Sequence, residues 1–374
     1  MKSLGISAHR LSCSGTPASV RERALPGKLS SMPFESSRRR FIAGSTSAFA
    51  AASLAGPVAS DAAAQTGGIP RRAFGRHSDT ISALGLGGHH LGNAATVGEA
   101  AAIVHEAIDS GITFFDNAWE YNDHRSEEWL GAALRGGYRD RVFLMTKVCT
   151  HGRDASLAMR MLEESLRRLG TDHLDLWQIH AVVYDNDPEL AYRTNGVIEA
   201  LDLAKRQGKV RYVGFSGHKS PNIHLEMIRR GYPFDSVQMP LNPFDGQFRS
   251  FERRVLPEAR ARGIAVLGMK PFNGAGNPFH SADVALTPDE ALRYAMSLPV
   301  ATTITGMESL DVLRQNVRIA RAFTPMSPDE MAAVRARVAG AAADGRMELY
   351  KTSLEYDDIV TRQVHGMPLA GVHA

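Results

Sequence analysis

Cysteine is nearly absent: Cys13 and Cys149 are the only two in 374 residues. If the N-terminus is removed, Cys149 stands alone. A disulfide within one chain is then excluded, and so is a cysteine-based zinc or iron–sulfur site. The scarcity does not fix the compartment, because an exported protein can do without disulfides. An excess of charge is also lacking. The net charge is only +3, and much of the basicity lies near the N-terminus, in Arg38, Arg39 and Arg40 among others. The rest is close to neutral, so composition offers no case for nucleic-acid binding. A long apolar run is missing too. Ile42–Ala59 is interrupted by Gly44, Ser45, Thr46 and Ser47, whereas a membrane span needs about 20 strongly apolar residues. No stable membrane anchor is expected. What remains, with 44% hydrophobic and 22% charged residues, is ordinary globular composition.

The segment Ser37-Arg38-Arg39-Arg40-Phe41-Ile42 has the form of a twin-arginine export signal. A mildly apolar stretch follows, and Ala62-Ala63-Ala64 offers a small-residue cleavage site before Gln65. Residues 1–64 are therefore expected to be a leader that is removed, with the twin-arginine translocase as partner in transit. The expected destination is the periplasm or the exterior. A leader without that function would leave the protein in the cytoplasm. The stretch before Ser37 is long for a signal, and Met32 as the true start would shorten it.

From Gly68 onward the chain repeats one grammar: an apolar run, polar residues, an amphipathic helix, a glycine. Ala100, Ile103, Val104, Ala107 and Ile108 share one helical face, and Gly111 follows as the stop. Met159, Leu162, Leu166 and Leu169 repeat the pattern before Gly170, and Gly208, Gly231 and Gly263 end further helical stretches. Strand-like runs fall at Ser82–Leu86, Thr113–Phe115, Val142–Met145, Leu174–Ile179, Val210–Phe215, Ser236–Gln238, Ile264–Leu267 and Ala301–Thr305. Eight strands alternating with helices imply a parallel sheet. Their uninterrupted succession fits an α/β fold of the closed (β/α)8 TIM barrel type better than an open sheet. Residues 65–326 are expected to form that barrel. The Arg72–Arg76 segment is expected to be a hairpin capping one barrel end. Residues 327–374 should add a polar helix (Ser327–Ala343) and an irregular tail.

Barrel active sites lie at the C-terminal ends of the strands. There this sequence places Asp116 after the second strand, Lys147 after the third and His180 after the fourth, with Tyr121 just beyond Asp116. Barrel packing requires none of these charged groups. Gly111–Tyr121, followed by Ser126-Glu127 and Leu130-Gly131, resembles the first signature of the aldo-keto reductases. Thr146-Lys147 and Asp175–His180 are similar to the next two, and the resemblance covers roughly Arg72 to Phe323. It implies a nicotinamide-dependent oxidoreductase that reduces aldehydes or ketones, or oxidises the alcohols. Its catalytic group would be Asp116, Tyr121, Lys147 and His180. In that reading Tyr121 gives the proton, and the Lys147 ammonium lowers the phenol pKa from its usual value near 10. Asp116 holds Lys147, and neutral His180 donates to the carbonyl oxygen.

The resemblance also implies a cofactor shell. Ser216 and Gln238 would hold the nicotinamide carboxamide, Met269 would cover the ring, and Lys270 would reach a phosphate. Gly306, Gln315 and Asn316 would line the adenosine-phosphate end. Three positions depart from the family pattern: Gly217 replaces an asparagine, Met269 an aromatic residue, and Glu308 stands where NADPH-binding members carry basic residues, with Arg314 the nearest cation. NADP(H) is the expected cofactor, with NAD(H) the alternative. His89, His90, Trp119 and His218 are expected to line the substrate pocket rather than bind a metal. With Asn242 they hint at a sugar or hydroxy-carbonyl substrate. Two rival functions share the barrel: a non-catalytic nucleotide-binding regulator, and a sugar-transforming enzyme with a tightly held, recycled cofactor.

Overall fold

The computed structural model describes residues 67–149, 151–273, 284, 286–354, 356–357 and 359–369. The leader 1–64, with its twin-arginine pattern and cleavage site, lies outside them, as does most of the 273–285 segment. The described chain begins with a hairpin in which β1 (Arg71–Ala73) and β2 (Thr80–Ser82) pair antiparallel. Eight strands follow: β3 (Leu84–Gly87), β4 (Phe114–Asp116), β5 (Phe143–Val148), β6 (Leu174–Ile179), β7 (Val210–Ser216), β8 (Ser236–Pro240), β9 (Ala265–Met269) and β10 (Thr302–Gly306). They close as a parallel barrel in the order β10-β3-β4-β5-β6-β7-β8-β9. This is the expected (β/α)8 fold. Every residue of β4, β5, β6 and β8 is buried. That is why these strands read as unbroken apolar runs rather than as alternating ones.

The two barrel ends are treated differently. At the N-terminal end the hairpin inserts Phe74, fully buried, with its ring 5.0 Å from those of Phe143 and Tyr212. Phe114, Met145, Leu176, Leu267 and Ile304 complete this plug. Burying one such ring is worth roughly 2–3 kcal/mol. At the other end the register aligns polar residues. Gly87 pairs with Asp116, Lys147 with Gln178, and Ser216 with Gln238.

The outer helices follow their end signals. Asp154 caps the helix Ala155–Leu169 by accepting from the amides of Ser156 and Leu157, and Gly170 ends it in the left-handed region (φ 65). This helix lies hard against its neighbour Arg125–Ala133. A Cβ added at Gly131 would sit 2.2 Å from the carbonyl oxygen of Arg168, so any side chain there would part the two helices.

The C-terminal segment is more ordered than expected. The helix Pro328–Ala342 opens with a Ser327/Glu330 capping box. Two short helices, Leu349–Thr352 and Ile359–Val364, follow instead of an irregular tail. The first packs on the loops after β8 and β9, Asp357 reaches the loop after β7, and His365 at the end of the second reaches the loop after β6. Lys351, fully buried, donates to Asp245 at 2.7 Å, Glu348 at 2.9 Å and the Phe248 carbonyl at 2.8 Å. Asp357 receives Lys219 at 2.7 Å and Arg362 at 2.6 Å. The polar residues that made the tail look structureless are partners for charges on those loops.

Candidate active site

The strand ends bring Asp116, Tyr121, Lys147 and His180 together. The Lys147 ammonium donates to Asp116 Oδ1 at 2.5 Å, to the Asn117 carbonyl at 2.7 Å and to Tyr121 Oη at 3.2 Å. The Tyr121 ring stands edge-on to His180 (5.5 Å) and to His89 (5.3 Å). One electrostatic expectation is corrected. Burial first, then the carboxylates of Asp116 and Glu120, raise the Tyr121 phenol well above its usual value. The Lys147 ammonium does not outweigh them, because Asp116 already neutralises it at 2.5 Å. Lys147 itself is lowered by burial, with Asp116 opposing.

Glu120 is a member of this cluster that sequence reasoning missed. It follows Trp119 and precedes Tyr121, yet its partner lies across the barrel mouth. One carboxylate oxygen meets Nδ1 of His180, and the other receives the Cys149 thiol. Cys149 in turn contacts His151 Nδ1 at 2.9 Å. Burial pushes the Glu120 carboxyl up, but His180, Cys149 and His151 outweigh it and hold it at about 2. The only signal in the sequence was a carboxylate beside the tyrosine. Arg153 was missed too. Fully buried, it donates to the His180 carbonyl at 2.7 Å and pairs with Asp187 at 2.7 Å, fixing the exit of β6.

Ser126 and Glu127 serve the scaffold: Ser126 Oγ donates to the Gly88 carbonyl at 2.7 Å, and Glu127 accepts from Thr146 at 2.6 Å. His89 sits in the mouth, its imidazole lowered to about 4 by burial and then by His90, Lys270, His180 and Lys147. Trp119 lies further out, at the rim. Its Nε1 donates to Glu164 at 2.8 Å, and Arg168 stacks over its ring at 5.4 Å. His90 packs against Gly306, where a Cβ would come within 2.4 Å of the imidazole. His218 contacts the Tyr350 carbonyl at 3.2 Å. Asn242 is committed to structure, donating to the Lys270 carbonyl and to Tyr350 Oη, both at 3.1 Å.

The residues expected to hold a dinucleotide line the same rim. Ser216 and Gln238 are neighbours across the β7–β8 register. Gln238 Nε2 donates to Asp116 at 3.3 Å and approaches Met269 Sδ at 3.8 Å, while its buried Oε1 has no partner. Asn316 donates to the Gly306 carbonyl at 3.4 Å, and its Oδ1 is likewise buried and unpartnered. Two orphaned acceptors suit a ligand with amide and amine donors. Gln315 is exposed. The departure at Gly217 has a steric cause: a Cβ there would meet the Val182 carbonyl at 2.3 Å and His224 at 2.6 Å. The asparagine of the family pattern cannot fit.

Known proteins match this arrangement. Residues 83–277 fit the model of the aldo/keto reductase family. The uncharacterized oxidoreductase YqkF of Bacillus subtilis is 29% identical over 299 residues, covering 67% of this chain and 91% of the relative. Aldo-keto reductase YhdN of the same organism is 32% identical over 199 residues, covering 50% of this chain and 57% of that protein. Among solved structures, the holo form of aldo-keto reductase AKR11C1 from Bacillus halodurans superposes with a TM-score of 0.59 at 26% identity. It covers 74% of this chain and 98% of that one. The chain belongs to the aldo/keto reductase family of oxidoreductases.

Proposed function

We propose that this protein reduces aldehydes or ketones, or oxidises the corresponding alcohols, with Tyr121 as the acid–base group. The observation that carries the reading is the Lys147 ammonium shared between Asp116 and Tyr121 Oη. A bound nicotinamide would supply the hydride; Ser216, Gln238 and Met269 would hold its ring end, and Gly306, Gln315 and Asn316 its phosphates and adenosine. A phenol kept neutral by burial and two carboxylates still carries its proton when a carbonyl oxygen arrives, although it is a weaker acid than a free phenol. Lys147 steadies the phenolate that donation leaves behind.

Glu120 sets a carboxylate oxygen against Nδ1 of His180, which holds the ring edge-on to Tyr121; His180 is the second polar group that would orient the carbonyl oxygen.

NADP(H) follows from the family resemblance. NAD(H) is the second reading, and one observation favours it: Arg314 is engaged bidentately by Glu106 at 2.7 and 2.9 Å, so it is not free for a 2′-phosphate. We further propose that residues 1–64 address the chain to the twin-arginine translocase and are removed at the periplasmic or outer side. Residues 65–326 then act as the barrel, and 327–374 complete its mouth.

The test is dinucleotide-dependent turnover of a generic aldehyde by the mature protein, with Tyr121→Phe as control. Turnover by wild type and a loss of at least about a hundredfold in the variant are expected. Equal activity in both removes Tyr121 from the chemistry. Retained dinucleotide binding without turnover in the wild type would favour the regulatory barrel.

A further inference from the structure

Among the described residues of the mouth, Asp116 is paired with Lys147 and Glu120 lies against His180. Lys270 has no carboxylate within ion-pair distance among the described residues. It follows β9 in the left-handed region (φ 58), a conformation uncommon for a residue with a side chain and often found at functional sites.

Its surroundings are built rather than incidental. The ammonium lies over the ring faces of Tyr350 (5.4 Å) and Tyr356 (5.5 Å), both from the C-terminal tail. Tyr350 is itself fixed: its hydroxyl donates to buried Glu348 at 2.6 Å and receives Asn242 at 3.1 Å. Aromatic faces hold a cation in place but only partly replace its hydration. Lys270 is half-buried; an ammonium partly withdrawn from water without an anion is unfavourable, and a ligand that brings one relieves this. Burial, then Lys147, push the Lys270 amine down to about 8, with Asp116 opposing. His218 is pushed well below its ordinary value by burial and then by Lys270. Burial is the larger cause of both shifts, and a neighbouring ammonium the second.

We propose that Lys270, boxed by Tyr350 and Tyr356 at the barrel mouth, anchors an anionic oxygen group of the substrate, so that the preferred carbonyl compounds are oxo-acids. The inference rests on the oxidoreductase reading and deepens it by naming the substrate class. It replaces the hint of a neutral sugar, since Asn242 is spent on Tyr350 and the Lys270 backbone. It also moves Lys270 from the dinucleotide's phosphates to the substrate. The electrostatic partners of Lys270 are Lys147, Asp116 and His89, which surround Tyr121, as well as His90 beside Gly306.

The experiment compares ω-oxo acids of two to six carbons with their methyl esters, because the span from Lys270 to the reacting carbon is read from the chain length preferred. Wild type is expected to favour at least one acid over its ester by tenfold or more in kcat/KM. Lys270→Met and Lys270→Gln should each reduce that ratio at least tenfold, mainly through KM, and Lys270→Arg should retain most of it. The same acids and esters are titrated calorimetrically into Tyr121→Phe protein saturated with dinucleotide, where the acid should bind more tightly. Equal preference for acids and esters in wild type overturns the proposal. So does a Lys270→Met protein whose acid-to-ester ratio is unchanged while its dinucleotide affinity falls, which would assign the ammonium to the dinucleotide's phosphates. Failure of the oxidoreductase reading looks different: no turnover of acid or ester, with the calorimetric preference still reporting on Lys270.

Discussion

Glu120 sets its carboxylate against Nδ1 of His180, reaching from the residue beside Tyr121 to the end of β6. This contact ties the loop after β4 to the strand two places on, and it holds the imidazole whose ring stands edge-on to Tyr121. Glu120→Gln keeps the shape and removes the charge. The expected result is a fall in kcat for carbonyl reduction of about ten- to a hundredfold, with dinucleotide affinity little changed. The alkaline limb of the reduction profile should also move to lower pH, because one of the two carboxylates that raise the Tyr121 phenol has been neutralised. A pH–rate profile that overlays that of wild type would remove Glu120 from the chemistry.

Lys351 holds the tail to the loop after β8 through Asp245, with Glu348 of the tail itself as its second carboxylate, all three side chains fully buried. Removing one partner of a buried ion pair leaves an uncompensated charge, at a cost of about 3–5 kcal/mol. Here Lys351→Met strands two carboxylates. Burial first, then Asp245 against the pull of Lys351, already raises Glu348 to about 7, so protonation will relieve part of the cost. The variant should unfold at lower denaturant concentration than wild type and be cut in the tail by protease under native conditions. Its deficit should shrink below pH 7. An unchanged midpoint with a protected tail would show that the triad does not hold the segment in place.

The strands and the group of four were legible because both are written locally. A run such as Leu174–Ile179 is buried on both faces, so it is apolar from end to end, and the change to polar residues marks the strand end where function sits. Observed starts lie within two residues of expectation; β3 was read as Ser82–Leu86 and runs Leu84–Gly87. What was not legible is long-range and polar. Glu120 finds His180, Arg314 finds Glu106, and Lys351 finds Asp245. Nothing in the spacing of these residues announces the pairing, because the barrel's closure brings them together. The phenol of Tyr121 was misjudged for the same reason: its neighbour Lys147 was foreseen, but the second carboxylate and the depth of burial were not.

His224 should make the fold sensitive to acid. It is fully buried between the rings of Phe215 (5.1 Å) and Phe251 (4.9 Å), neither ring nitrogen has a hydrogen-bond partner among the described residues, and burial lowers it to about 4. In the unfolded chain it titrates near 6.5. The unfolded state therefore binds the extra proton first. The contribution of the neutral imidazole is complete above pH 6.5, falls as the pH drops, and is fully lost near pH 4, for a total on the order of 3 kcal/mol. Denaturation at pH 7 and pH 5 should differ by about 2 kcal/mol from this group. His224→Leu should flatten that part of the profile. His89, also lowered to about 4 but partly exposed, adds to the same window with less weight. Equal pH sensitivity in His224→Leu and wild type would place the proton uptake elsewhere.

The proposed choice between NADPH and NADH can be tested at two acidic residues. Glu308 is exposed in the segment after β10 that resembles an adenosine-phosphate site, and Glu106 occupies both donors of the Arg314 fork. A 2′-phosphate placed there would meet one anion and a cation already spent. Coulomb interaction between exposed charges a few ångströms apart is worth about 1 kcal/mol in water. Glu308→Lys, a full reversal, should therefore shift the ratio of NADPH to NADH affinity toward NADPH by roughly tenfold or more. Glu106→Gln should shift it the same way by releasing Arg314, and the two together should exceed either alone. Titration of each protein with both dinucleotides, followed by tryptophan fluorescence, gives the ratio directly. If wild type already binds NADPH more tightly and neither substitution moves the ratio, the phosphate is recognised by other residues and NADP(H) stands as the family resemblance implies.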